Sequence, residues 1–340
     1  MSETLFYTVS ALVNALVATV LAFVVYFRNR KQLVNKIFSL FFASVAIWSY
    51  SYFVWFLLKD KNLVLLNHRI FLMGAAIFIA ILFFHSVLAL TNKIKEYKKL
   101  LVAGYIIFSF FLVMDYFTPF IVKDMQGGLF SQFWPQPGVL FTPFLVAWYF
   151  YLIAVLYILI KEIKRISSFN SEVDKLYSIQ LKYILIGAIV GFVGAVPNYL
   201  FWYSWYAIPI AQFTNFLVAI GMIIIAYGIV KYNLFNIKLL ISEILVFSIW
   251  TLVIVRAVLS NNNQELLINS FLAFLVFMVG ILLIRSLYKE TELTKRLLDE
   301  TQKNLDLEIG LRKEFIQKAG EVIKKMEEIV SDNNKRKQRR

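Results

Sequence analysis

Long runs of uncharged, apolar residues recur along the whole chain and restrict its fold more than any other feature. The segment LVNALVATVLAFVVYF, from Leu12 to Phe27, is one example. About 20 such residues cross the hydrocarbon core of a bilayer as a helix. Hydrophobic residues make up 60% of the 340-residue chain, whereas soluble domains contain about half. The pattern predicts an integral membrane protein of the helical type.

Nine of these runs are long enough to span a membrane, and polar links separate them. The predicted spans are Leu5–Phe27, Ile37–Leu58, Leu65–Leu90, Leu100–Phe120, Leu140–Ile160, Leu181–Tyr203, Trp205–Val230, Leu239–Leu259 and Leu266–Ile284. We interpret PNYLFWYSWYAIP, between the sixth and seventh spans, as a tight turn at the membrane interface, where Trp and Tyr concentrate. The predicted fold class is an all-α membrane protein with about nine transmembrane helices and a C-terminal cytoplasmic coiled-coil helix.

Glycines recur near one face of the sixth predicted span, at Gly187, Gly191 and Gly194. Small residues at about four-residue spacing let two helices approach each other closely inside a membrane. We interpret this spacing as a packing surface for a neighbouring helix rather than as a functional site.

Basic residues are distributed unevenly between the links. The links after spans one, three, five and seven, together with the span ends beside them, hold fifteen Lys and Arg residues, whereas the alternate links and their span ends hold five. Lys and Arg concentrate in the cytoplasmic loops of membrane proteins. The distribution predicts a multi-pass protein of the cell membrane, with its N-terminus outside and its C-terminus in the cytoplasm. It also accounts for the net charge of +14 without a nucleic acid as partner.

Charged residues replace the apolar runs after Ile284, and a heptad pattern follows. β-branched residues at Ile309, Ile316, Ile323 and Val330 share one heptad position, which favours a parallel two-stranded coiled coil. The predicted dimerisation residues are Leu298, Leu305, Ile309, Ile316, Ile323, Met326 and Val330. The alternative is a monomeric amphipathic helix that lies on the membrane surface.

These features divide the chain into four predicted parts. Residues 1–232 form a multi-span, sensor-like membrane domain, and residues 233–286 form a transmembrane hairpin. Residues 287–331 form the cytoplasmic coiled-coil helix, and residues 332–340 form a basic, disordered tail. Anionic lipid would attract the KRKQRR sequence of this tail.

Three segments carry a resemblance to a known family. The run LRKEFIQKAGEVIKKM, from Leu311 to Met326, is similar to the dimerisation helix of bacterial sensor histidine kinases. The segments FSLFFASVAIWSYSYFVWFLLKD and YGIVKYNLFNIKLLISEILVF resemble the seven-transmembrane sensor module of some of these kinases and the stretch that follows it. The resemblance implies a membrane sensor joined to a dimerisation helix.

The resemblance fails at the residues that carry phosphoryl transfer in that family. The phospho-accepting histidine of the family falls on Glu321, and its Arg-Thr-Pro run falls on Lys324, Lys325 and Met326. A carboxylate does not accept the phosphoryl group as an imidazole nitrogen does. The nineteen residues after Glu321 are too few for an ATP-binding domain. We therefore expect a degenerate dimerisation helix without a kinase core or kinase activity.

A ligand pocket is predicted where aromatic residues and a few polar anchors coincide in the outer halves of the spans. The candidate ligand-binding residues are Trp55, Asp115, Tyr116, Trp148, Asn198, Trp202, Gln212 and Asn215. The apolar outer link GGLFSQFWPQPGVLFTPF would fold back over them. An interfacial aromatic belt uses the same residues without a ligand and is the alternative.

Enzyme chemistry finds no support in the sequence. The chain has no cysteine, two histidines and no H-E-x-x-H, G-x-S-x-G or phosphate-loop pattern. His85 has no second metal ligand beside it, which favours a hydrogen-bonded packing role. Asp115, Glu243 and Arg256 fall near span ends, where water can reach them. We expect no catalytic residue, metal or cofactor.

The sequence as a whole favours a receptor-like signalling protein. A ligand, a lipid or a change in membrane state would act on the spans. A dimeric cytoplasmic helix would pass the change to a separate kinase or other signalling partner. Two alternatives stay open: a small-solute transporter or channel assembled by its C-terminal helix, and a truncated histidine kinase.

Overall fold

The computed structural model describes six stretches of the chain and isolated residues between 242 and 320. The six stretches are 3–28, 30–127, 132–168, 172–203, 214–231 and 264–287. The chain divides into two compact units, Met1–Gly280 and Ile281–Arg340. The described part of the first unit contains the helical bundle and all of the candidate site.

The first half of the chain forms five helices joined by short links. They are α1 (Glu3–Arg28), α2 (Leu33–Leu57), α3 (Lys61–Asn67), α4 (Gly74–Leu90) and α5 (Lys98–Phe117). Asp60 caps α3, because its carboxylate accepts hydrogen bonds from the Asn62 and Leu63 amides, both at 2.9 Å. Such caps satisfy N–H groups that a helix start leaves free. A π-helical turn, His68–Met73, joins α3 to α4, so that Lys61–Leu90 is one continuous helix.

The second half contains a hairpin and four further helices. Strands β1 (Val122–Gln126) and β2 (Trp134–Pro137) precede α6 (Phe141–Ile166), α7 (Glu172–Leu200), the 3-10 turn Phe201–Tyr203, α8 (Thr214–Lys231) and α9 (Gln264–Leu287). The described residues thus form a helical protein with one two-stranded sheet. The predicted helical class is confirmed, and the hairpin is a feature that the apolar pattern does not predict.

Seven of the described helices are long and apolar enough to cross a membrane. They correspond to spans one to six and nine of the sequence prediction. α8 is apolar but shorter over Thr214–Ile229, and residues 205–213 of the predicted seventh span lie outside the described residues. The predicted eighth span, Leu239–Leu259, lies almost wholly outside them. A multi-pass membrane protein is therefore confirmed, whereas the count of nine spans stays a prediction.

The end of α5 differs from the predicted one. The helix ends at Phe117 rather than at Phe120, and Thr118 is extended, with φ −140° and ψ 161°. Pro119 explains this, because a proline ring disfavours the helical conformation of the residue before it. The last three residues of the predicted span, 118–120, therefore belong to the link between α5 and the hairpin.

α6 continues beyond its predicted end at Ile160. It runs to Ile166, and both Glu162 and Ile166 are buried in this extension. Its last turn carries Lys164 and Arg165, which suit the negative end of the helix dipole. The appearance of charge marks the end of the apolar run but not the end of the helix.

The π-helical turn His68–Met73 is fixed by a side chain of α5. A π turn widens a helix by one residue, and such turns are frequent at functional sites. The Tyr116 hydroxyl donates a hydrogen bond to the Ile70 carbonyl of this turn at 3.1 Å. A Cβ atom on Gly74, directly after the turn, would lie 2.7 Å from that hydroxyl. Glycine therefore allows the tyrosine to reach the widened turn.

Large aromatic side chains fill the centre of the bundle. Phe83 of α4 is fully buried and meets Phe38 of α2 at a ring-centroid distance of 6.4 Å. Trp148 of α6 is also buried, and its Nε1 donates to the Ala76 carbonyl of α4 at 3.2 Å. Buried aromatic rings contribute the largest apolar areas of any side chains. α4 is therefore the central helix, with contacts to both α2 and α6.

α7 and α8 approach each other at a contact between glycines. A Cβ atom on Gly221 of α8 would lie 2.5 Å from the Gly191 Cα atom, and one on Gly187 would lie 2.7 Å from the Gly221 carbonyl oxygen. The atoms met are backbone atoms, which cannot rotate away. The structure therefore shows the close helix approach that the glycine spacing in α7 predicts, and α8 supplies the partner glycine.

The second unit, Ile281–Arg340, is described at its start and at isolated residues. The predicted dimerisation residues lie outside the described ones: Leu298, Leu305, Ile309, Ile316, Ile323, Met326 and Val330. The coiled coil and the dimer therefore stay predictions.

We expect Gly221→Ala to destabilise the protein, because the added methyl group forces the α7 and α8 backbones apart. Overpacking of this kind costs about 1–3 kcal/mol. The thermal unfolding midpoint of the purified protein in detergent measures the effect. Gly310→Ala is the matched control, since a Cβ atom there meets nothing within 4 Å. Equal midpoints for the two variants would contradict the glycine contact.

Candidate functional site

The link between α5 and α6 forms an antiparallel hairpin at one end of the bundle, which we call the hairpin end. Gln126 of β1 pairs with Trp134 of β2. The Gly138 amide then donates to the Ile121 carbonyl at 2.8 Å. A Cβ atom on Gly138 would collide with the Phe120 carbonyl group. Only glycine fits here, so the chain closes the hairpin before it enters α6.

Two indole groups bind the hairpin to the bundle. Trp55 of α2 donates from Nε1 to the Phe133 carbonyl at 2.8 Å. Trp134 of β2 donates from Nε1 to the Phe201 carbonyl, in the turn that ends α7, at 3.2 Å. Both indoles are buried. Each bond satisfies a carbonyl group that lies outside the α-helices. In a membrane, where water is absent, such groups need donors from the protein itself.

Two cations bind the first strand. Arg69, in the π-helical turn, donates from Nη2 to the Val122 carbonyl at 2.8 Å. Lys61, at the start of α3, forms an ion pair with Asp124 at 2.8 Å. The hydrogen bond from Lys61 holds the pKa of the exposed Asp124 carboxyl below its ordinary value. This ion pair therefore stabilises the hairpin at neutral pH and is lost as the pH falls through the pKa of the folded state.

An aromatic cluster lies at the hairpin end, around His68. The imidazole ring meets the Trp55 indole edge-on at a centroid distance of 4.5 Å, and the Trp202 ring lies 6.3 Å away. Trp134 extends the cluster, 4.9 Å from Trp55. Phe141 stacks on Trp202 at 4.3 Å. Elements that are distant in sequence thus meet at one buried histidine.

His68 keeps unused hydrogen-bonding capacity inside this cluster. The residue is fully buried, and its Nδ1 lies 3.0 Å from the Val64 carbonyl oxygen, to which it donates. Its Nε2 makes no hydrogen bond with any residue that the structure describes. The sequence offers no pattern around His68 that predicts this role, because its partners come from α2 and from the end of α7.

Asp115 is the second buried polar group of the hairpin end. It lies on the buried face of α5 and is fully inaccessible to solvent. The Arg69 guanidinium and the Val122 amide are its polar neighbours, but neither carboxylate oxygen reaches hydrogen-bonding geometry with a described residue. The sequence-based expectation that water reaches Asp115 is therefore wrong. Other residues of the protein cover this end of α5 and exclude solvent from the carboxyl group.

Four of the predicted ligand-binding residues lie at the hairpin end. Trp55 and Trp202 flank the buried histidine, Asp115 lies on the buried face of α5, and Tyr116 binds the π-helical turn. The sequence does not predict a role for their neighbour Arg69, because a position near a span boundary is typical of an ordinary interfacial cation.

The other four predicted residues have different surroundings. Trp148 donates to α4 in the bundle centre. Asn198 donates to the Gly194 carbonyl of its own helix at 3.2 Å. Asn215 binds α1 rather than the hairpin end. Gln212 lies outside the described residues.

Asn215 belongs to a polar seam between α1, α2 and α8. Its Nδ2 donates to the Ser10 hydroxyl at 3.2 Å, while the Asn14 Nδ2 donates to the Ser49 hydroxyl at 2.7 Å. All four side chains are buried. Side-chain hydrogen bonds of this kind join helices where the apolar surroundings offer no other partner. We therefore assign this seam to helix assembly.

A charged cluster lies at the opposite end of α4. Glu162 of α6 is buried and accepts from Lys93 at 3.1 Å and from the Arg165 Nε at 3.1 Å. The Tyr177 hydroxyl of α7 donates to the Leu90 carbonyl at 3.1 Å beside it. The cluster ties the α4–α5 link to α6 and α7. Its carboxylate is fully partnered, in contrast to Asp115.

The arrangement at the hairpin end offers features of a binding site. Within the described ranges, no group of three His, Asp or Glu side chains could hold a metal ion. His68, Arg69 and Asp115 offer polar contacts next to large indole surfaces. Small-molecule sites combine these two features, a few polar anchors and a mostly apolar lining.

The bundle and its capped end define a multi-pass membrane protein with a polar site at one end. The family described as the N-terminal 7TM region of histidine kinase matches residues 10–238. This match covers more than half of the chain, and the protein therefore belongs to that family. Neither the curated proteins nor the solved structures provide a further match. The match confirms the resemblance of the membrane region and does not extend to the predicted dimerisation helix.

The two buried carboxylates predict stability changes of opposite sign. Asp115→Asn should leave the protein at least as stable as the parent, because the amide keeps the shape of a buried carboxyl group that has no hydrogen bond to lose. Glu162→Gln should destabilise it by roughly 2 kcal/mol, because Lys93 and Arg165 lose a charged acceptor. Thermal unfolding in detergent at neutral pH compares both variants with the parent. A clear loss of stability in Asp115→Asn would show that the carboxylate has partners in the fold.

Proposed function

We propose that this protein is a membrane sensor that receives its stimulus at the hairpin end and passes the change to a dimeric cytoplasmic helix. The observation that carries the proposal is a hairpin bonded to α2, the π-helical turn and α7 beside buried polar groups with unused capacity. A ligand or lipid that binds there can change the contacts of several helices together. Membership of a family of kinase sensor regions supports the same role.

In the proposed orientation the hairpin end faces the outside of the cell. The excess of Lys and Arg in the links at the other end supports this orientation. The ion pair between Lys93 and the buried Glu162 lies at that other end, beside the basic links. A stimulus at the hairpin end would then reach the cytoplasmic side through the continuous helix Lys61–Leu90.

In this proposal, α9 transmits the conformational change from the membrane to the cytoplasm. Trp250 donates from Nε1 to the Val276 carbonyl at 3.1 Å and stacks on Phe277 at a centroid distance of 4.0 Å. This contact supports the proposed transmembrane hairpin of residues 233–286, because it joins the middle of its two arms. α9 would continue the signal into the helix that contains the heptads.

The proposed output is an interaction rather than a phosphoryl transfer from this helix. Glu321 occupies the position of the phospho-accepting histidine in the kinase family. A paired helix with this substitution can still dock on a separate kinase or other signalling partner. The heptad positions that would support the pairing include Ile316 and Ile323.

Single cysteines test the dimeric helix, and the chain offers a clean background because it contains no cysteine. Ile316→Cys and Ile323→Cys should crosslink efficiently in membranes, since both positions face the partner in a parallel pair. Lys318→Cys, on the outer side of the same heptad, is the matched control. Equal crosslinking at all three positions, or none at any, would contradict the dimer.

The same crosslink tests whether the hairpin end controls the helix. Trp134→Phe keeps an aromatic ring but removes the hydrogen bond to the Phe201 carbonyl, and it should change the crosslinked fraction of Ile316→Cys. Tyr105→Phe removes a comparable bond, to His85, and is the control. An unchanged fraction would contradict the relay. Solute flux in proteoliposomes that persists without residues 298–340 would instead favour a transporter.

A further inference from the structure

An acidic and a basic side chain, Asp115 and Arg69, lie at the hairpin end without a hydrogen bond between them. The Arg69 Nε atom and both Asp115 carboxylate oxygens are buried and make no hydrogen bond with any described residue. Arg69 uses its Nη2 for the Val122 carbonyl. Tyr116, directly after Asp115, donates to the carbonyl of Ile70, directly after Arg69, at 3.1 Å, so that the two side chains come from adjoining segments. Both therefore keep capacity for a further partner at the same place.

The signs of these charges restrict the partner. An ionised carboxylate only accepts hydrogen bonds, and a guanidinium only donates them. A simple cation on Asp115 would be repelled by Arg69, and a simple anion on Arg69 would be repelled by Asp115. A molecule that carries an ammonium group and an acid group a few bonds apart satisfies both. Its charged hydrogen bonds would be stronger than neutral ones.

We propose that Arg69 and Asp115 bind a zwitterion, with its ammonium group on Asp115 and its carboxylate or phosphate group on Arg69. This inference rests on the proposed sensor function and names the chemistry of its stimulus. The aromatic cluster begins at the neighbouring residue, His68, and offers indole surface to the apolar part of the molecule. Such a ligand would bridge α5, the π-helical turn and β1.

Two sources can supply this chemistry, a free amino acid and a phosphatidylethanolamine headgroup. Tyr116 and Phe117, the two residues that follow Asp115 in α5, are exposed on the surface of the protein, at 41% and 80%. The site thus lies beside a surface that lipid contacts. The probe decides between the sources, and the bridging chemistry is the same for both.

The test uses the full chain in detergent and in nanodiscs of phosphatidylglycerol, which carries no ammonium group. The probes are L-leucine, leucinamide as the cation, N-acetylleucine as the anion, and added phosphatidylethanolamine. Tryptophan fluorescence and the thermal unfolding midpoint report binding. L-leucine or phosphatidylethanolamine should bind saturably, and both single-charge analogues should bind about tenfold or more weakly. If no zwitterionic probe binds, or if leucinamide or N-acetylleucine binds equally well, the inference is wrong.

Variants of Asp115 and Arg69 test which side chain binds which charged group of the zwitterion. Asp115→Asn and Arg69→Gln should each weaken binding of the zwitterion about tenfold or more, and Arg69→Lys should restore part of the loss. Asp124→Asn is the matched control, because Asp124 lies on the same hairpin but is exposed and paired with Lys61. Unchanged binding in Asp115→Asn or Arg69→Gln overturns the assignment. The cysteine crosslinking of the C-terminal helix needs no ligand. A failure to bind zwitterions would therefore contradict this inference without contradicting the proposed dimeric sensor.

Discussion

A bilayer offers no hydrogen bonds to peptide groups, and this constraint shapes every described part of the molecule. The helices satisfy their own backbone, and irregular backbone is possible only where side chains supply the missing partners. Tyr116 donates to the π-helical turn, Arg69 to the start of β1, and Trp55 to the segment before β2. The side chains that make the irregular end possible also belong to the candidate site. Structure and candidate function thus have one physical origin.

The sequence predicts the helices well because length and apolar character are local properties. It also predicts that Trp55, Asp115 and Trp202 lie at one end of the bundle, since each falls near the same end of its span. The hairpin could not be predicted in the same way. β2 reads Trp-Pro-Gln-Pro, and prolines argue against a strand except at a sheet edge. A two-stranded sheet has only edges, so the prolines are tolerated here.

The surroundings of His68 consist of residues that are distant from it in the sequence. Nothing next to it marks it as the centre of an aromatic cluster, because Trp55 precedes it on α2 and Trp202 follows α7. The burial of Asp115 is equally hard to predict from the sequence, because a position near a span end indicates access to water. Its burial depends on the hairpin, which is itself a tertiary feature. Local patterns therefore place the candidate site at the correct end but cannot distinguish an exposed group from a buried one.

In the proposed sensor, one end of the bundle stabilises the fold and the other binds the stimulus. Glu162 is buried with two cationic partners, and such a group holds its helices in one arrangement. Asp115 and His68 are buried with unused capacity, which lowers stability but leaves contacts for a further molecule. The continuous helix Lys61–Leu90 joins these ends. In the proposed relay, a displacement of the π-helical turn would therefore be transmitted along this helix to the Lys93–Glu162 pair, whose hydrogen bonds connect it to α6.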